Sequence, residues 1–250
     1  MKRTMTLVLA LALALPAALI AALYPPSPAS AATDNLPDLR MARLVDFHTV
    51  QRTDGRRLLR FSSIIVNVGD GRFEANGRRP SASATTMSVR QRIYNTAGGY
   101  RGVSTPATMY YSGDGHNHWH VRDLEEFTLT RLDNGRRVGT GAKHGFCFYD
   151  NYRFGSTRPP NYTIASGACG KARNLRVKMG LSVRWGDLYH YTLPDQYIDI
   201  TGLTPGRYRL RAVADKSNWF VEKNNTNNHT WVDLQITGNS VSVVRYGPSA

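Results

Sequence analysis

After residue 32 no stretch of this chain keeps an apolar period of 3.6 residues, which constrains the fold more than any other feature. Its apolar residues fall in short runs separated by Gly, Pro and Asn. EFTLTRLDNGRRVGTG, residues 126–141, reads as strand, Asn-Gly hairpin turn and strand. RRLLRFSSIIVNVGDG alternates until it breaks at Gly69 and Gly71, and ATMYYSGDG leads into a histidine-rich segment. QYIDITGLTPGRYRLRAVAD, TWVDLQITG and SVSVVRYG supply further short strands. Short strands with regular turn signals predict an all-β, single-domain β-sandwich with long loops and little helix. PPNYTIASGACGKARN reads as one of the loops. No internal repeat or low-complexity linker marks a second domain.

The N-terminus sets the compartment. Lys2 and Arg3 precede TLVLALALALPAALIAAL, and PPSPASAA then offers small residues at Ala29 and Ala31. That order predicts a secretory signal peptide over residues 1–31, a domain over 32–250 and a secreted, extracellular protein. An uncleaved anchor fits less well, because Pro16 interrupts the apolar stretch. No later segment is apolar enough to span a bilayer, so no membrane contact is expected after cleavage. The formal charge of +14 becomes +12 once Lys2 and Arg3 are removed. Such a protein adheres to anionic extracellular polymers. Its basic residues are scattered rather than gathered on one face with aromatics, which argues against specific nucleic-acid binding. Cys147 and Cys169 are the only cysteines. In an oxidising compartment one disulfide is the default, and a zinc site built on the two is the alternative.

GDGHNHWHVRDLEEF places His116, His118 and His120 at alternating positions. In a strand all three side chains share a face, with Asn117 and Trp119 on the other. A set of imidazoles suits copper, zinc, iron or nickel rather than calcium. The outer two would lie roughly 13 Å apart on a straight strand, so convergence requires a bend, for which Gly113 and Gly115 give latitude. Exposed, hydrogen-bonded histidines without metal are the other reading.

GHNHWHVRDLEEF resembles the copper-binding segment of the lysyl oxidase family, secreted amine oxidases, and the later motifs keep the family order. Lys143 in GAKHGFC lies four residues before Cys147, as the cofactor lysine of the family lies before a cysteine. GLSVRWGDLYHYTLPDQYIDITGLTPGRY resembles the stretch with the cofactor tyrosine, which falls on Tyr189, preceded by Asp187 in the same D-x-Y arrangement. The resemblance runs from about Asp38 to about Thr237 and suits a bacterial secreted lysyl oxidase-like protein. Two cysteines replace the many of animal members, their upstream domains are lacking, and Gly113 stands where they carry an additional histidine.

The resemblance implies copper(II) at His116, His118 and His120, and a lysine tyrosylquinone made from Lys143 and Tyr189. Such a cofactor oxidises primary amines, lysyl side chains or small amines, to aldehydes, with oxygen consumed and peroxide and ammonia released. The lysine must be deprotonated to react, so its site should lower its pKa. Asp187 is the candidate base, since alternation puts it on the face of Tyr189, and His144 is a further one. Asp123, Glu125 and Glu126 either draw an ammonium substrate or pair with arginines such as Arg122 and Arg131.

VEKNNTNNHTW gathers Glu222, Asn224, Asn227 and Asn228, oxygen donors of the kind hard cations take. The matching segment of lysyl oxidase-like proteins binds calcium together with a Pro-Asp-Leu, here Pro37, Asp38 and Leu39. Asn224 replaces an aspartate of that pattern, removing a charge. An Asn-rich turn without metal is the competing reading. Two other functions stay open: a secreted metal-binding adhesion module without catalysis, and a zinc hydrolase using the three histidines. Neither gives Lys143 and Tyr189 a reason to meet.

Overall fold

A computed structural model describes residues 31–112 and 117–250. Residues 1–30, nearly all of the expected signal peptide, lie outside the described residues, as do Gly113, Gly115 and His116. Residues 33–250 form one compact unit.

The described residues contain strands and no helix. In chain order the first strands are β1 (Asp34–Asn35), β2 (Leu39–Met41), β3 (Val45–Gln51), β4 (Arg57–Asn67), β5 (Phe73–Arg78) and β6 (Thr86–Asn95). They are followed by β7 (Tyr100–Tyr111), β8 (Trp119–Arg122), β9 (Glu125–Arg131), β10 (Arg137–Thr140), β11 (Gly145–Phe146) and β12 (Tyr152–Arg153). The last are β13 (Arg176–Leu181), β14 (Trp185–Tyr189), β15 (Tyr197–Asp199), β16 (Gly206–Ala214), β17 (His229–Thr237) and β18 (Ser240–Tyr246). The all-β expectation holds, and the strands form three sheets. One runs β11-β8-β7-β6-β5-β13 with β1 beside β6, and a second runs β10-β9-β16-β17-β18. The third runs β12-β14-β4-β15, with β2 and β3 also on β4. Every pairing is antiparallel.

The hairpin read at Asn134-Gly135 is β9–β10. Gly135 supplies the turn with φ +69°, and Arg131 donates its N–H to the Arg136 carbonyl at 2.8 Å. β4 departs from the expected alternation, because nearly all its residues from Leu58 to Asn67 are buried. It is paired on both edges, by β3 and β2 on one side and β15 and β14 on the other, and side chains on both of its faces are buried. The segment expected as a long loop, residues 159–174, carries no strand.

One core cluster draws from all three sheets, including Phe73 and Trp119 of the first, Phe127 and Leu210 of the second, and Phe61 and Tyr189 of the third. Phe61 and Phe127 meet edge to face at 4.8 Å, joining the second and third sheets. Such pairs contribute about 0.5–1.5 kcal/mol beyond area burial. Phe127 lies two residues from Glu125 on β9 and Phe61 two residues from Ser63, the partner of Tyr189 on β4, so core packing helps to fix the frame of the site.

Candidate functional site

The histidine segment is held at its C-terminal half. β8 pairs with β7 in the register Tyr111↔Trp119, Tyr110↔His120, Met109↔Val121, and with β11 on its other edge. Trp119 is fully buried, donating its backbone N–H to Cys169 at 2.8 Å and its indole N–H to Lys171 at 3.1 Å. His120 is buried on the opposite side and His118 is half-buried. The chain turns at Asn117, φ +36°, and His118 accepts the Ser112 N–H at 3.1 Å. The His118 and His120 rings lie 4.6 Å apart between centroids, closer than the roughly 6.7 Å rise between alternate residues of a strand. Two converging nitrogen donors fit a copper or zinc ion. No cluster of three or more metal-ligating side chains occurs among the described residues, from which His116 is missing.

Lys143 and Tyr189 come from separate elements and meet. β14 runs antiparallel to β4, with Tyr189 opposite Ser63 and Asp187 opposite Ile65. Asp187 and Tyr189 share the buried face, with Leu188 half-buried between them, as alternation requires. The Tyr189 hydroxyl accepts the Cys147 N–H at 2.8 Å and donates to the Cys147 carbonyl at 3.3 Å. Cys147 is in turn bonded to Cys169, the expected disulfide, with Cα atoms 5.6 Å apart. The bridge therefore ties together the backbone that grips the tyrosine and the backbone that carries the histidine strand. Phe146 packs on the Tyr189 ring at 4.4 Å. The Lys143 Nζ lies over the face of the same ring, 3.3 Å from its centroid. Burial pushes the Tyr189 phenol well above its usual range, with the charge of Asp187 adding to the effect.

Two carboxyls accompany this pair. Asp187 is fully buried; its Oδ1 accepts the Asn151 side-chain amide at 2.8 Å, and Oδ2 has no hydrogen-bond partner among the described residues. Burial raises its pKa well above the ordinary value against the opposing pull of Lys143. Glu125 opens β9 and is 6% exposed. Its Oε2 accepts a long hydrogen bond from Ser63 at 3.4 Å, while Oε1 has no partner among the described residues. Burial pushes its pKa up to about 8, opposed first by Lys143. Gln196 completes the row by donating to Ser63 at 3.1 Å.

The arginine pairing considered for the acids holds for Glu126, though with Arg137 rather than Arg122 or Arg131. Asp123 faces His144 at 3.5 Å, and Glu126 faces Arg137 at 3.5 Å and also Lys216. Arg122 lies over Tyr110, and Arg131 pairs with Asp133. The inward turn of Glu125 was missed, although a signal existed: Glu125, Phe127 and Leu129 alternate, and two of them are plainly apolar. A pocket of about 360 Å³ reaches Glu125 and Lys143 from solvent, walled also by Asp123, Glu126, His144 and Lys216. His144 is exposed at its rim.

The second candidate region also assembles. Glu222 Oε2 accepts the Leu39 N–H, and Oε1 accepts the Asn228 side-chain amide at 2.8 Å. Asn227 donates to Asp38 Oδ2 at 3.2 Å, and Lys223 donates its N–H to the Pro37 carbonyl at 2.8 Å. Asp38 Oδ1, Asn227 Oδ1 and Asn228 Oδ1 are buried oxygens without a hydrogen-bond partner among the described residues. Unpartnered buried oxygens beside two carboxylates fit a hard cation. Burial holds the Glu222 carboxyl up at about 8 and raises Asp38 as well. Asn224 stands apart: it is exposed, and its Oδ1 caps the local turn by accepting the Thr226 N–H at 2.8 Å and hydroxyl at 2.7 Å.

Comparison with known proteins finds a family model, described as Lysyl oxidase, that matches residues 84–246. Lysyl oxidase homolog 3 of Homo sapiens is 27% identical over 188 residues, 75% of this chain and 20% of that protein. Lysyl oxidase homolog 2 of Bos taurus is 30% identical over 178 residues, 70% of this chain and 18% of that protein. Protein-lysine 6-oxidase of Homo sapiens is 30% identical over 138 residues, 53% of this chain and 30% of that protein. The chain thus spans 18–30% of the length of these relatives.

Proposed function

This chain belongs to the lysyl oxidase family, and we propose that it is a secreted, copper-dependent oxidase of primary amines. The observation that carries the reading is the placement of the Lys143 Nζ 3.3 Å over the Tyr189 ring, with the buried carboxyls of Glu125 and Asp187 both within reach of its charge. A surface lysine and a packing tyrosine have no need of that arrangement. His118 and His120, joined by His116, are the residues that would hold copper. Copper with oxygen would supply the oxidation that turns the Tyr189 ring and Lys143 into a lysine tyrosylquinone, the electron sink for amine oxidation to aldehyde, peroxide and ammonia.

The chain's own residues do the positioning. The Cys147 backbone fixes the tyrosine hydroxyl from both its N–H and its carbonyl. Phe146 holds the ring plane, and both Phe146 and Tyr189 offer an aromatic face to Lys143. Holding reacting groups at near-attack distance removes much of the entropic barrier to joining them. Asp187, on the same face of β14, is the neighbour placed to hold a proton beside the ring. Asp38, Leu39, Glu222, Asn227 and Asn228 would hold calcium and clip the N-terminal segment to the strand pair β16–β17.

The test is peroxide release when a simple primary alkylamine is added to protein loaded with copper under air. Amine-dependent peroxide is expected, and it should be lost in Tyr189→Phe. Fully copper-loaded, aerated protein that releases none would favour the secreted binding module instead.

A further inference from the structure

We infer that Glu125 is the pocket's proton acceptor, the carboxylate that meets the substrate's ammonium and takes its proton so that a neutral amine reaches the site. The inference rests on the amine-oxidase reading above and deepens it. Of the acids in the pocket wall, Asp123 and Glu126 are matched by His144, Arg137 and Lys216. Asp187 lies behind the ring and is not part of the wall. Glu125 alone combines a buried carboxyl, an oxygen with no hydrogen-bond partner among the described residues, and a place on the pocket surface. An orphaned buried acceptor is an expensive thing to keep without a donor to receive.

Its position also fits the sequence of events. Before the cofactor forms, the positive charge of Lys143 favours the ionised form of both Glu125 and Asp187 against the effect of burial. Once Lys143 is joined to the ring it no longer offers an ammonium, and the two carboxyls lose their cation. The next cation to enter is the substrate, and of these two carboxyls it meets Glu125 first, because Glu125 lines the pocket and Asp187 does not. The transfer balances: an alkylammonium and the Glu125 carboxylate become a neutral alkylamine and the Glu125 carboxylic acid. Because the outer acids already face His144, Arg137 and Lys216, the pocket asks for one ammonium and gives a second positive charge no dedicated partner.

The groups facing Glu125 are Ser63 of β4, Gln196, Lys143, and Tyr189 and Asp187 of β14, with Asp123, Glu126, His144 and Lys216 around the pocket. Its raised pKa fits an acceptor that works above neutrality. Lys143 opposes that rise, so once it is joined to the ring the carboxylate is lost below a value no lower than about 8, and kcat/KM should fall on the acid side of it.

The experiment compares wild type, Glu125→Gln and Glu125→Asp, each matured with copper in air. The Lys143–Tyr189 cross-linked peptide and the copper content should be equal in all three. Glu125→Gln should lose about 100-fold or more in kcat/KM, mostly in kcat, and its acid limb should flatten. Glu125→Asp should recover part of the rate and keep the limb. In metal-free protein, the carboxylic-acid infrared band titrating near pH 8, to which Glu222 also contributes, should lose part of its amplitude in Glu125→Gln. A Gln variant with kcat/KM and acid limb unchanged would overturn the assignment. So would a Gln variant that binds copper yet forms no cross-link, which would move Glu125 into cofactor formation. A wild type without the cross-link would instead remove the reading on which the inference rests.

Discussion

Tyr189→Phe separates two roles that one residue holds. The ring packs against Phe146 at 4.4 Å, and phenylalanine keeps that contact. The hydroxyl serves the buried Cys147 backbone twice, accepting its N–H at 2.8 Å and donating to its carbonyl at 3.3 Å. Removing it strands a buried donor and, more weakly, a buried acceptor, which costs about 1–3 kcal/mol. The shorter bond dominates, so we expect a loss of about 2 kcal/mol, or a melting midpoint lower by about 4–8 °C in a domain of this size. The disulfide keeps Cys147 in place, so the fold should persist. Urea denaturation of the metal-free proteins reads the stability term, and peroxide release after copper loading reads the chemical one. The variant should bind copper as wild type does and release no amine-dependent peroxide. Unaltered stability would refute the backbone-grip argument, and persistent turnover would refute the assignment of Tyr189 to the cofactor.

His118→Ala should lose both copper and the cross-link, read by metal analysis and peptide mapping; unchanged copper would place the ligands elsewhere. Gly145→Ala, in the neighbouring β11, is the milder perturbation: a Cβ there would lie 2.3 Å from the Tyr110 hydroxyl and 2.8 Å from the His120 Cβ. His120 must shift, so copper affinity should weaken at least tenfold in a competition titration while the fold survives. Replacing Cys147 and Cys169 together by serine opens a crosslink of sequence separation 22. The chain-entropy model puts that at about 3 kcal/mol of stability, measurable by denaturation, and cross-link formation should slow as the grip on Tyr189 loosens. Calcium should raise the melting midpoint in a concentration-dependent way, contributing about 2.7 kcal/mol at a hundredfold excess over Kd. Chelator should reverse the gain, and Glu222→Gln should abolish it.

Strand positions with apolar alternation were legible, as in β9, β16 and β17, because one face of each meets the common core. β6 has the same pattern, with Met87, Val89, Gln91 and Ile93 buried between exposed residues, but polar and basic side chains mask it in a reading of hydropathy alone. β1 and β2 are only two and three residues long and are fixed by their neighbours rather than by pattern. The approach of Lys143 to Tyr189 follows from no spacing; it depends on β14 lying along β4 and on the disulfide-held Cys147 loop. Motif order alone pointed to it. Glu125 was harder still, since only alternation with Phe127 and Leu129 distinguishes it from Glu126, which turns outward to Arg137 and Lys216. The bend at Asn117 required coordinates, because asparagine tolerates a positive φ without demanding one.

The central claim is that Lys143 and Tyr189 become one cofactor. Peptide mapping by mass spectrometry on protein matured with copper and oxygen tests it most directly. The account predicts a single cross-linked species joining the peptide of Lys143 to that of Tyr189, absent from protein kept free of copper. Both peptides recovered unmodified from copper-loaded, oxygenated protein would contradict it.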